Sequence, residues 1–513
     1  MTDKRILWID DEVDLLRPHI LLLTERGYSV TPISSGEDAL VLLKEARYDL
    51  VLLDEMMPGK DGLATLMGIR EIDPHVPVVM VTKVDEDRFM REAFGSRVDD
   101  YLIKPFNPNQ LISTCTRILD RKDIVEERLA KDYVSELSSL KDMLDEPIDW
   151  RKWIEIYVKL TEWELLLNVH RDVGLLTIHR GEMDEFNSVY GKYIEQSYPR
   201  WLAGEDAPSL SVDVVERYIL PSLRRGKVLF VVLDCMRLDQ WMVIESLLTE
   251  YYEIKRDYCY SILPTSTAYA RNAIFSGLYP SEIQKQYPHL WDVDEGNLNR
   301  FESELFTRNL KSLGLKLSQP PKYVKIANAK KAESLRQKLN SLFEPSLATI
   351  VVNFMDILTH SRSESSMLQE IAPDEDAFRS LTQSWFSHSP VYEILKIATK
   401  YVDTVVLTSD HGFIRGRRGT PVYGGRNISP NLRFKFGHSL KCDPRAAIVI
   451  SEPSKFRLPA LPGKRYVIAK EDYYFLYPPH FSEYDKRYKY MFHHGGISLE
   501  EMILPIVTMS SRS

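Results

Sequence analysis

A chain of 513 residues is long enough for roughly three domains of ordinary size. Its 44% hydrophobic content allows real cores, and a net charge of −8 with a sequence pI near 5.9 argues against a globally basic nucleic-acid binder. The cysteines Cys115, Cys235, Cys259 and Cys442 are scattered with no CxxC spacing, which predicts a reducing compartment and no cysteine-based metal site. With no signal peptide and no apolar run of spanning length, the expectation is a cytoplasmic protein with no direct membrane insertion.

The first block, residues 1–122, alternates predicted strands and helices. Strands are expected at Arg5–Ile9, Ser29–Ile33, Leu50–Leu53, Val78–Val81 and Asp100–Ile103, with a helix over Asp14–Arg26, giving a parallel, doubly wound α/β sheet. Polar residues gather at the strand ends: Asp10, Asp11, Asp54, Thr82 and Lys104. Carboxylates on adjacent tips call for a cation, and all-oxygen ligation suits Mg²⁺. A nearby lysine can pair with a phosphoryl group. The motifs IDDE, LLDEMMPGKDG, VT and YLIKPF give the whole block a resemblance to bacterial response-regulator receivers. That resemblance implies that Asp54 accepts a phosphoryl group from a sensor histidine kinase. It implies Mg²⁺ held by Asp11, Asp54 and the Met56 carbonyl with help from Asp10. Thr82 and Lys104 would bind the phosphoryl oxygens, and Tyr101 would turn on activation.

Residues 123–205 read as a helical bundle that links the receiver to the last domain. Ile124–Leu144 carries apolar residues at helical spacing and ends before Pro147. Trp150–Val169 and Met183–Gln196 are further amphipathic helices, with Gly174 and Gly181 expected to mark a turn between them. Trp153, Tyr157 and Trp163 are read as bundle core. Gly204–Ser209 is the expected connection into the last domain.

In residues 206–513 three apolar strands lead into metal-ligand side chains. Lys227–Leu233 is followed by Asp234, Thr349–Met355 by Asp356 and then His360, and Thr404–Leu407 runs into Ser409, Asp410, His411 and Gly412. Open α/β sheets carry their chemistry at the carboxyl ends of strands, and neighbouring Asp and His suit zinc. The Asp356-x-x-x-His360 spacing puts both side chains on one face of a helical turn. After Pro264, any of Thr265, Ser266 and Thr267 can open a helix whose N-terminus favours anionic oxygen. Near the C-terminus His494 precedes two glycines, with His493 as the alternative ligand. Counting gives one ion held by Asp234, Asp410, His411 and the Thr267 oxygen, and a second held by Asp356, His360 and His494.

This order of motifs resembles the alkaline phosphatase superfamily and, within it, the PglZ-type domains. The stretch PTST…FSGLYPS is also similar to the nucleophile segment of nucleotide pyrophosphatase/phosphodiesterases. Receiver, helical linker and PglZ-type domain together resemble the PorX-type response regulators of type IX secretion in Bacteroidetes. The resemblance implies an alkaline-phosphatase-like α/β domain with two Zn²⁺, in which Thr267 attacks phosphorus and forms a phospho-threonine. The phosphoryl-binding asparagine of the phosphodiesterases has no clear counterpart. Asn297 and Asn299 are open possibilities, and Arg271 and Asn272, one turn past Thr267, are the substrate-binding candidates.

The segment Gly412–Lys441 holds Arg415, Arg417, Arg418, Arg426, Arg433, Lys435 and Lys441 and no acid, interleaved with Tyr423, Phe434 and Phe436. In an acidic protein that pattern reads as a guide for a polyanion. The expected activity is a phosphorylation-controlled, zinc-dependent phosphodiesterase on oligonucleotides or cyclic nucleotides, acting in a phosphorylation-dependent homodimer. Two other readings stand beside it. One is a phosphomonoesterase on the same scaffold. The other is a signalling adaptor for a sigma factor or secretion component with a structural metal site. A sulfatase is disfavoured because a CxPxR motif is absent.

Overall fold

The structure, a computed structural model, describes residues 4–74, 76–83, 98–119, 121–170, 173–291, 298–425, 428–460, 462–479 and 481–512. The chain divides into two compact units, Met1–Ser138 and Ser139–Ser513, and the division falls within helix Arg121–Asp142.

Unit one is built on five parallel strands in the order Tyr28–Ile33, Lys4–Ile9, Leu50–Asp54, Val78–Thr82, Asp100–Ile103. Leu50–Asp54 and Val78–Thr82 are buried throughout, as expected for strands covered on both faces. One core gathers Ile6, Trp8, Leu52 and Val79 on one face, and another gathers Leu7, Ile9, Leu53 and Met80 on the other. The expected helix over Asp14–Arg26 opens instead as a 3₁₀ turn, Val13–Leu16, before the α-helix Arg17–Glu25. Pro18, which cannot donate a backbone hydrogen bond, sits in the first turn of that helix, the place where it is tolerated.

Unit two contains a six-stranded sheet in the order Tyr252–Tyr260, Ile503–Ser511, Thr404–Thr408, Val228–Leu233, Leu347–Val352, Lys322–Ile326. Ile503–Ser511 runs antiparallel to both neighbours, and the remaining pairs are parallel. Helices cover both faces. One core gathers Leu233, Trp241, Ile350 and Leu407, and the other gathers Phe230, Phe275, Phe306 and Val406. A three-stranded antiparallel sheet, Phe434–His438, Lys464–Ala469 and Ala447–Ile450, has its own small core around Val422, Val467 and Phe475.

Two sequence expectations change here. The strand expected over Thr349–Met355 is Leu347–Val352, and a helix begins at Phe354, so Asp356 lies in a helical first turn and not at a strand tip. Gly174 and Gly181, expected to mark the turn between two linker helices, do not do so: the first helix is Trp150–His170 and the second runs from Val173 to Leu202 through both glycines. A helical glycine costs only about 1 kcal/mol relative to alanine, which thirty residues of packed helix absorb.

Candidate functional site

The carboxyl ends of Val228–Leu233, Leu347–Val352 and Thr404–Thr408 lie at one edge of the large sheet, because these strands are parallel neighbours. Asp234 follows the first strand, and Asn353 follows the second. Ser409, Asp410 and His411 follow the third. Strand Tyr252–Tyr260 delivers the segment ending in helix Thr267–Ser276, whose N-cap is Ser266. Asp234, Asp410 and His411 are fully buried and form one group of ligand atoms, and Asp356, His360 and His494 form another.

Thr267 Oγ1 stands 2.9 Å from His411 Nε2 and 3.3 Å from Asp234 Oδ1. His411 is aimed by its other nitrogen, Nδ1, which faces the Gly412 carbonyl oxygen at 3.0 Å. The His411 and His494 rings stack with centroids 4.3 Å apart, so the two groups adjoin. His360 Nε2 lies 3.2 Å from His494 Nε2 and 3.3 Å from Asp356 Oδ1, with Asp356 and His360 on one face of helix Phe354–Glu364. Of the two candidate histidines, His494 joins the cluster. His493 faces the Tyr488 carbonyl oxygen at 3.0 Å, and burial draws its pKa down to about 4.

The donor set fits divalent cations. Burial pushes Asp234 well above the usual carboxylate range, and Asp410 and Asp356 add to the effect although Arg271 opposes it. Asp410 Oδ2 is buried without a hydrogen bond, its nearest cation being Arg271 Nη1 at 3.8 Å. His494 is pushed well below its ordinary pKa, first by burial and then by His411 and His360, and its neutral form is the one that ligates. Converging imidazole and carboxylate donors suit zinc better than magnesium.

Supporting residues that local sequence reasoning did not single out hold this arrangement. Asn353 Nδ2 donates to Asp234 Oδ2 at 2.9 Å. Ser409 Oγ accepts from the Met236 amide at 2.9 Å and donates to the His411 carbonyl at 2.8 Å. Glu501 accepts from the Gly496 amide at 2.8 Å and pairs with the buried Arg433. Asn353 and Ser409 border strand ends and could have been found there. Glu501 carries no local signal.

The substrate-binding candidates fare differently. Arg271 is buried and its guanidinium is bound to Asp234 and to Glu302, the latter at 2.9 Å. It is thus engaged by the carboxylates of Asp234 and Glu302 and withdrawn from solvent. Asn272 is also buried, with Nδ2 donating to the Ala268 carbonyl at 2.9 Å. Asn299 Nδ2 donates to the Thr267 carbonyl at 3.0 Å, while Asn297 lies outside the described residues. Four arginines of the basic segment, Arg415, Arg417, Arg418 and Arg433, face acids from elsewhere in the chain. Arg417 pairs with Asp184 and with Asp472 at 3.0 Å, and Arg418 pairs with Asp472 and with Glu471 at 2.6 Å. Arg415 approaches Glu375 at 3.7 Å, and the buried Lys435 donates to the Asn431 carbonyl at 2.8 Å. Arg426 lies outside the described residues. For these four arginines, an acid-free run of sequence is thus compensated in the fold by acids distant in the chain.

In unit one Asp10, Asp11 and Asp54 form a third group of carboxylates, with Asp10 and Asp54 buried and Asp11 exposed. Lys104 Nζ reaches Asp10 Oδ2 at 2.7 Å and Asp54 Oδ1 at 3.0 Å. Burial raises the Asp54 pKa, and Lys104 offsets only part of that. Burial also works against the Lys104 charge, but Asp10 and Asp54 outweigh it and hold its pKa above the ordinary value. Thr82 ends its strand in a buried position, Tyr101 packs partly buried against the Leu53–Met80 core, and the Met56 side chain is exposed.

Three family models match the chain in sequence. The response regulator receiver domain covers residues 6–116, the PorX response regulator linker domain covers 123–202, and the BREX system PglZ alkaline phosphatase-like domain covers 214–509. Among curated proteins, the transcriptional regulatory protein ResD of Bacillus subtilis is 34% identical over 119 residues, 23% of this chain and 49% of ResD. The DNA-binding response regulator MtrA of Mycobacterium tuberculosis is 32% identical over 171 residues, 33% of this chain and 71% of MtrA. The chain thus spans about half the length of ResD. Among solved structures, CheY4 of Vibrio cholerae is 28% identical, with a TM-score of 0.21, over 23% of this chain and 100% of that one. TrrA of Thermotoga maritima is 32% identical, with a TM-score of 0.21, over 23% and 99%. No described helix is long and apolar enough to cross a membrane. With more than half of its residues matched by the PglZ model, the chain belongs to the PglZ alkaline-phosphatase-like family, in a response regulator of PorX-type architecture that joins receiver, linker and PglZ domain.

Proposed function

We propose that this response regulator is a metal-dependent phosphodiesterase with Thr267 as nucleophile, acting on oligonucleotides or cyclic nucleotides. The observation that carries the reading is the Thr267 hydroxyl, held at a helix N-terminus between Asp234 and His411 and beside the Asp356–His360–His494 group. Two divalent ions, most naturally zinc, would lower the pKa of that hydroxyl and offset charge on a phosphoryl oxygen. Asp234, Asp410 and His411 would hold one ion and Asp356, His360 and His494 the other. Thr267 Oγ1, its proton given up to solvent, would attack phosphorus; the bond to the leaving oxygen would break and that oxygen take up a proton from solvent; water would then cleave the phospho-threonine, releasing a phosphomonoester and restoring the hydroxyl. The Thr267 helix directs its N-terminal dipole at the developing charge.

In the other unit, Asp54 beside Lys104 is the proposed phosphoryl acceptor, served by a sensor histidine kinase, with Mg²⁺ at Asp10, Asp11 and Asp54. The PorX-type linker supports a cytoplasmic role in control of type IX secretion. The test is elemental metal analysis combined with parallel assays of an aryl phosphodiester, an aryl phosphomonoester and an aryl sulfate. Diesterase turnover lost on chelation and regained with zinc is the expected outcome. Stoichiometric metal without turnover of any ester would favour a structural site in an adaptor.

A further inference from the structure

One face of helix Val173–Leu202 lies on the segments that carry the site. Asp184, Asn187, Gly191, Glu195 and Tyr198 are spaced three or four apart and so form one stripe. Each meets the catalytic domain. Asp184 pairs with Arg417, and Glu195 Oε2 accepts from Lys470 Nζ at 3.3 Å. A methyl group at Gly191 would stand 3.4 Å from Lys470 Cδ. The other two contacts reach further inward. Asn187 Oδ1 accepts from the Leu499 amide at 2.8 Å, and its Nδ2 donates to Glu500 Oε2 at 3.0 Å. Tyr198 Oη accepts from the Leu263 amide at 3.0 Å. Asn187 and Tyr198 are both almost fully buried.

What these two side chains hold matters more than their burial. Leu499 opens the short helix Leu499–Met502, so Asn187 satisfies an amide that the helix itself leaves unpaired. In the same turn Glu501 binds the Gly496 amide at 2.8 Å, and its carbonyl accepts from the Gly412 amide at 3.2 Å. Those contacts sit two residues from His494 and one from His411. Thr265 Oγ1 donates to the Gly496 carbonyl at 2.7 Å and accepts from the Gly495 amide at 3.2 Å, which ties the same turn to the strand-to-helix segment of Thr267. Tyr198 fixes that segment independently at Leu263. Hydrogen bonds from a polar stripe are directional, so a small shift or rotation of the helix breaks them, whereas apolar contacts would slide.

We propose that the linker helix is part of the catalytic apparatus: Asn187 and Tyr198 are positioning residues that set the geometry of Thr267, His411 and His494. The inference rests on the phosphoesterase reading of those three residues. It supplies a regulatory lever, because in sequence this helix lies between the receiver and every residue of the site.

The test uses the full-length, zinc-loaded protein and the variants Tyr198→Phe, Asn187→Asp and Lys192→Ala, the last on an exposed position off the stripe. Metal loss to EDTA and steady-state hydrolysis of an aryl phosphodiester are measured together, with amide exchange of residues 262–267 and 494–501. A misplacement of less than an ångström at the reacting atoms predicts a roughly tenfold fall in kcat with KM within about twofold, and roughly tenfold faster metal loss. Lys192→Ala should match wild type. If Tyr198→Phe and Asn187→Asp exchange faster yet keep wild-type kcat and metal retention, the two contacts are merely structural and the proposal is overturned. A wild-type protein that binds no metal and turns over no ester would sink the phosphoesterase reading, an outcome distinct from variants that match an active wild type.

Discussion

Thr267 and Thr265 differ by two positions and have different surroundings. The Thr265 hydroxyl is engaged by the backbone of Gly495 and Gly496 and by Glu501, whereas the Thr267 hydroxyl lies against the candidate ligands Asp234 and His411. Thr267→Ala should therefore keep its metal and lose kcat by about 10³-fold, with Thr267→Ser partly active. Thr265→Ala should loosen metal retention while leaving measurable turnover. Wild-type rates in Thr267→Ala would shift the nucleophile elsewhere. Asp410 raises a separate expectation. Its Oδ2 is buried without a hydrogen bond, in a group that also holds the raised carboxyl of Asp234. Such a cluster is costly to bury unless cations neutralise it. Chelation should lower Tm, and added zinc should restore it. Asp410→Ala combined with His411→Ala should lose one of two metal equivalents by elemental analysis, and an unchanged content would remove the assignment.

At the scale of elements, the arginine-rich strands Ile414–Arg415 and Arg418–Pro421 act as framework. Asp472 is 5% exposed and pairs with both Arg417 and Arg418, so removing either cation leaves a nearly buried carboxylate short of a partner. Arg418→Gln should cost about 1–2 kcal/mol in denaturant unfolding. Any loss of activity should then be equal on oligonucleotides and on a small aryl diester. A rise in KM confined to oligonucleotides would restore the polyanion-guide reading. Arg433→Met should cost more, roughly 3–5 kcal/mol, because it strands the fully buried Glu501. These cases mark where sequence reading runs out. Two of the three strand ends and the clustering of the candidate donors beside them were legible, because apolar runs into Asp or Asp-His leave a local trace. The neutralisation of Arg417 by Asp184 was not legible, because 233 positions separate the partners. Asp356 was identified as a ligand candidate although its strand ends earlier than expected, because Asp-x-x-x-His encodes the helical face directly. The two linker glycines misled for the opposite reason: a local helix breaker is outweighed when long flanking segments pack.

At the scale of the whole molecule, the question is how phosphorylation at the proposed acceptor Asp54 would reach the site. Lys104 bridges Asp10 and Asp54, and a phosphoryl group on Asp54 would compete for that lysine and draw in Thr82. Tyr101, on the neighbouring strand and partly buried, is placed to turn as Thr82 moves. In the linker, the apolar side chains Leu166, Val169 and Ile178 are 40%, 77% and 52% exposed, and we propose that pairing with a second copy covers them. We therefore predict that beryllofluoride shifts the protein from monomer to dimer and raises diesterase activity. Moving a 1:99 equilibrium to 99:1 takes about 5.5 kcal/mol of differential binding, within reach of one phosphoryl contact set and a modest apolar interface. Sedimentation velocity with and without beryllofluoride should show the shift in wild type and its loss in Asp54→Ala. Val169→Glu combined with Ile178→Glu should stay monomeric with beryllofluoride while keeping wild-type thermal stability, since both positions face solvent in the monomer. If that variant dimerises as wild type does, the linker surface is not the pairing face. If wild type keeps one mass in both states, pairing is not the output of phosphorylation, and a switch acting within one chain through the stripe from Asp184 to Tyr198 becomes the better account.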